Sequence, residues 1–165
     1  MRNKLFVYIL LFTFAVSCKN PCDTIACLNG GMCDNGNCLC PNWYEGEFCE
    51  SEQRTKFFGN YTGTFTVNYV ITAVQDVQNG SLSFSESPQG IEYLTSSFNT
   101  NSTFKLTTNS SPNIELNPIS TTAGQFNITT TGQGAFKGDS VVINFTYYNN
   151  TLNSVSATGV FKGVK

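Results

Sequence analysis

The 165-residue chain contains no histidine. That removes the commonest general base, the usual metal ligand and the one side chain that ordinarily titrates near neutral pH. Charge is scarce too: Asp, Glu, Lys and Arg make up 12% of residues, about half the usual quarter. The net charge is −2 and no basic patch forms, which argues against a nucleic-acid partner and against electrostatic docking to a membrane. Phosphate-cradling glycine loops and metal-ligand clusters are absent. Cysteine is absent beyond position 49.

What is present is apolar and β-prone. Hydrophobic residues make up 40% of the chain and aromatics 13%, enough for a core in one ordinary domain or in one small domain beside a very small one. With so little charge, the polar surface falls to Thr, Ser and Asn, residues of strands and turns more than of helices. An all-β fold class follows.

The first residues read as an address. Met1-Arg2-Asn3-Lys4 is basic, and Leu5 to Val16 is an apolar run too short to span a bilayer as a mature helix. Ala15-Val16-Ser17-Cys18 closes it. These residues resemble the lipobox of bacterial lipoproteins, in the looser Bacteroidota form, with Ala15 where Leu is commonest. The resemblance implies a signal peptide over residues 1–17, acyl chains (palmitate among them) on Cys18, and a membrane partner reached through that anchor. It also implies an exported protein held at the outer membrane, on its periplasmic face or the cell surface. Loss of Arg2 and Lys4 with the leader takes the net charge from −2 to −4. The cysteine count agrees: seven is odd, and lipidation of Cys18 leaves an even set.

Residues 18–21 form a tether. The following run, Cys22, Cys27, Cys33, Cys38, Cys40 and Cys49, has the spacing C-x4-C-x5-C-x4-C-x-C-x8-C. Clustered cysteines in an exported segment this short indicate a disulfide framework, because so few apolar side chains cannot build a sufficient core. Spacing alone leaves fifteen pairings open. The spacing, Leu28-Asn29-Gly30-Gly31, and Tyr44 and Gly46 resemble an EGF-like module over residues 22–50, with Trp43 in place of the usual glycine. That resemblance implies the bridges Cys22–Cys33, Cys27–Cys38 and Cys40–Cys49. Zinc is disfavoured by the lack of His and of paired C-x-x-C motifs. Calcium is disfavoured because Lys19-Asn20-Pro21 stands where calcium-binding modules carry acidic and amide residues. No metal and no cofactor are expected. Trp43 and Tyr44 are candidate contact residues, since aromatics dominate hot spots, although packing on the Cys40–Cys49 bridge explains them more simply.

Residues 51–56 read as a charged linker, and residues 57–165 as an all-β domain. Tyr61, Gly63, Phe65, Val67 and Tyr69 alternate with polar residues, as do Val141, Ile143, Phe145 and Tyr147, and then Val155, Ala157, Gly159 and Phe161. Period two with one apolar face marks half-buried antiparallel strands. Weaker strands fall near 81–85, 91–98, 103–107, 114–116 and 125–131. Tyr69–Val77 has some helical character but reads better as strand. Turn signals stand at Asn79-Gly80, Pro88-Gln89-Gly90, Asn109-Ser110-Ser111-Pro112, Lys137-Gly138-Asp139 and Asn149-Asn150. Roughly eight to ten short strands imply a meander closed into a barrel or folded into a sandwich. Phe58-Gly59-Asn60-Tyr61-Thr62-Gly63-Thr64 and Gly132-Gln133-Gly134 resemble the small lipocalin-like or calycin-like domains of such lipoproteins, and Gly132 and Gly134 read as a bend that helps a barrel close.

No catalytic residue is assigned. Asp76, Glu86, Glu92, Glu115 and Asp139 are scattered singly, without the paired carboxylates a glycosidase needs, and a serine triad is excluded with His. Asn60, Asn127 and Asn144 head Asn-x-Thr triplets that arise by chance in such a composition. The expectation is a non-enzymatic surface lipoprotein that works by binding or adhesion to an unknown protein or small molecule. The alternative is a small-molecule carrier with a pocket lined by Phe65, Tyr69, Phe145 and Tyr147.

Overall fold

The computed structural model describes residues 19–98, 102–107 and 112–165. The leader, Cys18 and residues 109–111 of the Asn109–Pro112 turn signal lie outside the described residues. The chain divides into two compact units, one containing residues 19–41 and 46–50 and the other residues 42–45 and 51–165.

The first unit is a disulfide-rich module. Strands β1 (Met32–Asp34) and β2 (Asn37–Leu39) form a hairpin, turned by Asn35 and Gly36, both at positive φ. The bridges join Cys22 to Cys33, Cys27 to Cys38 and Cys40 to Cys49, the pairs implied by the sequence resemblance. Cys49 is fully buried. Gly31 is required beside it, because a Cβ there would lie 2.7 Å from the Cys49 sulfur. The exposed Glu50 carboxylate accepts the Phe48 N–H. Its pKa lies below the usual carboxylate value because backbone N–H groups of Glu50, Phe48 and Glu47 favour the charged form.

The second unit is a closed eight-stranded barrel. A short ribbon, β3 (Tyr44–Glu45) with β4 (Ser51–Glu52), and a 310 helix (Gln53–Phe57) precede it. The barrel strands are β5 (Gly59–Tyr69), β6 (Gln75–Glu86), β7 (Tyr93–Ser96), β8 (Ser102–Leu106), β9 (Asn113–Ala123), β10 (Phe126–Lys137), β11 (Ser140–Asn149) and β12 (Ser154–Val164). Each pairs antiparallel with its chain neighbours, and β12 pairs with β5 to close the ring. Barrel and sandwich were both compatible with the alternation; β12–β5 pairing decides for the barrel and leaves no edge strand.

Inward residues form the core: Tyr61, Leu82, Phe84, Leu94, Phe104, Leu106, Ile114, Leu116, Phe136, Val141, Ile143, Phe145 and Phe161. Glycines make the closure sterically feasible. A Cβ on Gly63 would stand 1.8 Å from the Lys162 carbonyl oxygen, and one on Gly134 2.3 Å from that of Val142. The β9–β10 register shifts between Thr130 and Gly132, where Leu116 and Ile119 are the flanking partners. Pro118 sits in that gap, where the ladder is interrupted and a missing N–H is tolerated.

Two expectations are corrected. Asn79-Gly80 is not a turn: both residues lie inside β6, opposite Thr64 and Gly63. Gly80 is there because the Phe65 ring fills its side-chain space, at 3.1 Å from a built Cβ; long-strand pairing overrides the local turn preference. Tyr69–Val77 is neither helix nor continuous strand: Tyr69 ends β5, Val70–Thr72 turn, and β6 begins at Gln75. The segment 51–56, read as a linker, carries β4 and most of the 310 helix.

Candidate binding site

Because the strands alternate in direction, the barrel has two distinct ends. At one stand the starts of β5, β7, β9 and β11 and the finishes of β6, β8, β10 and β12. The 310 helix closes this end. Phe57 stacks on Phe136 with ring centroids 4.6 Å apart. Arg54, 4% exposed, donates to the carbonyls of Ser87 at 3.2 Å, Gly90 at 2.9 Å and Tyr93 at 3.3 Å. It also pairs with Glu52 at 2.7 Å and Glu86 at 2.9 Å. Trp43 packs against the barrel core and accepts the Gln53 N–H at its carbonyl, while Tyr44 pairs with Glu52 in the β3–β4 ribbon. Of the two aromatics singled out as contact residues, Trp43 thus helps build the closed end and Tyr44 belongs to the ribbon that precedes it. A cleft of about 480 Å³ beside Trp43 is lined by Glu92, Lys105 and Glu115, two carboxylates with one cation.

The opposite end is open and nearly free of charge. A pocket of about 310 Å³ is lined by Val67, Tyr69, Ile128, Tyr147, Ser156 and Ala157. Four strands supply it: β5, β10, β11 and β12. Its rim carries Val70, 58% exposed, and Ile71, 76% exposed, on the β5–β6 turn, with Val74, Leu152 and Val155 also exposed. Deeper in, the barrel is filled. The Phe65 ring lies 4.4 Å from that of Phe161, and Phe98 stacks on Phe145 at 4.5 Å. Phe98 is held by its own backbone: its N–H reaches the Ser96 hydroxyl at 3.2 Å, and its carbonyl accepts the Ser102 hydroxyl. Asn149, buried, accepts the Leu152 N–H at 3.0 Å and so shapes the β11–β12 turn.

Of the four aromatics expected to line a pocket, Tyr69 and Tyr147 do so; Phe65 and Phe145 are packed into the core instead. Burial raises the pKa of the Tyr147 phenol, and neighbouring Tyr69 adds to the effect. Val67 shares the inward face with Phe65 and Tyr69, so alternation along β5 carried its signal. Alternation likewise put Ala157 on the apolar face of β12, whereas Ile128 and Ser156 were not legible as lining, because only barrel closure brings β10 and β12 to the wall beside β5. Among the described residues, no group of three or more Cys, Asp or Glu side chains could hold a metal ion. No protein-family model, curated protein or solved structure matches the chain.

Proposed function

We propose that the protein is an exported, lipid-anchored binding protein. In this reading Cys18 carries the acyl anchor, the disulfide-rich module is EGF-like and acts as spacer or contact surface, and the barrel is lipocalin-like and presents its open end to a target without chemical turnover. The carrying observation is the polarity of the barrel. The chain arrives at the closed end, where Arg54 and its partners concentrate charge; the far end offers exposed aliphatic residues around an apolar opening, a combination that marks interaction sites. Intact mass of the natively produced protein, before and after reduction and thiol labelling, tests the anchor. The expected species starts at Cys18, carries acyl chains and exposes six thiols only after reduction. An unacylated chain with a free Cys18 thiol overturns the anchored reading.

The pocket favours a second, narrower reading: the barrel carries a small apolar molecule. Its volume of about 310 Å³ stands at the lower end of the range for small-ligand sites. Titration with the neutral fluorophore Nile red checks this. One saturable site per chain, lost in Ile128→Asp, is expected; only unsaturable partitioning would sink the carrier reading.

A further inference from the structure

One charged residue breaks the neutrality of the open end. No Lys or Arg occurs between Lys56 and Lys105, between Lys105 and Lys137, or between Lys137 and Lys162. Every strand end and turn of the open mouth falls within those three intervals. The acidic residues of the barrel unit likewise gather at the closed end, except Asp76, the second residue of β6.

Asp76 faces the barrel interior. It shares its face of β6 with the buried Leu82 and Phe84 and is half-buried between exposed Gln75 and Val77, although Gln78, on the same face, is exposed. Asp76 pairs directly with Val67, and directly opposed residues project from the same face of a sheet with Cβ atoms about 5 Å apart. Val67 is a wall of the apolar pocket. The carboxylate therefore stands at the flank of the pocket, on the strand next to β5. It accepts a hydrogen bond from a neutral group, the Gln78 side-chain amide, at 2.7 Å. Tyr69, on the same strand as Val67, and Tyr147 line the same pocket, and aromatic faces attract cations.

We propose that the open end binds an organic monocation: an ammonium group on an apolar body, the body in the pocket and the ammonium between Asp76 and the tyrosines. This inference rests on the carrier reading above. An anionic ligand meets a like charge and no compensating cation. A neutral ligand fills the same apolar volume but leaves the carboxylate unused. A lone carboxylate does not supply the ligand number that a hard metal cation requires.

Calorimetric titration of the full chain with octylamine, 1-octanol and octanoate, near neutral pH and at low salt, separates these cases. Octylammonium is expected to bind at least about fivefold more tightly than octanol, with octanoate weakest. Asp76→Asn, which keeps the side-chain shape and a hydrogen bond to Gln78, should abolish the preference while leaving octanol affinity unchanged. Asp139→Asn, at the closed end, should leave the preference intact. Equal affinities for octylamine and octanol, or a preference that survives Asp76→Asn, overturn the proposal while the carrier reading stands. No saturable binding of any of the three overturns both.

Discussion

Gly63 and Gly163 face each other where β5 meets β12, and the space between these strands at that point is taken by backbone. A methyl on Gly63 would sit 1.8 Å from the Lys162 carbonyl oxygen, a contact that side-chain rotation cannot relieve. Gly63→Ala is therefore expected to cost about 3 kcal/mol or more, since the closing seam itself must shift; chemical denaturation measures it. Alternation in the sequence placed Gly63 on the inward face, but nothing local explained why that position lacks a side chain. Gly80 shows the same limit from the other side: next to Asn79 it reads as a turn, and only the Phe65 ring packed against it shows why it belongs in a strand. Tyr69 and Tyr147 were legible as inward aromatics at strand ends; that Phe65 and Phe145 are packed rather than lining depends on Phe161 and Phe98, far away in sequence.

The 310 helix is the element whose role was least visible. Its charged residues resemble those of a solvated connection, yet Arg54 satisfies three carbonyls of the β6–β7 region and two carboxylates. Arg54→Leu would leave those carbonyls without their donor while the carboxylates regain water. A loss of about 2–4 kcal/mol is expected, read as a lower denaturation midpoint with an unchanged far-ultraviolet spectrum of the surviving native state. The β9–β10 bulge is the counterpart at mid-barrel. Pro118 interrupts a long strand without breaking it because the ladder is already out of register there, a compensation that requires knowing the partner strand.

For the whole molecule, stability should fall in strong alkali. The Tyr61 phenol is raised above its usual pKa by burial and then by Asp139, and the Tyr147 phenol by burial and then by Tyr69. A phenol whose folded pKa exceeds its unfolded value holds its full stabilising contribution below about pH 10, and that contribution is lost as pH rises through the folded pKa. Urea midpoints should be flat from neutral pH to about pH 10 and drop above it. Phe replacement of Tyr147 should remove part of that drop.

The sequence by itself determined the all-β class, the disulfide-rich module before a cysteine-free domain, and the inward face of the strongest strands. Cysteine spacing and period-two alternation are local patterns, written in neighbouring residues. Tertiary structure alone decided barrel over sandwich, the closing of one end by Arg54 and Phe57, and the pairing of Asp76 with Val67, a wall of the apolar pocket at the other. Those outcomes depend on which strands pair and in what register, and β5 finds β12 across nearly the whole length of the domain.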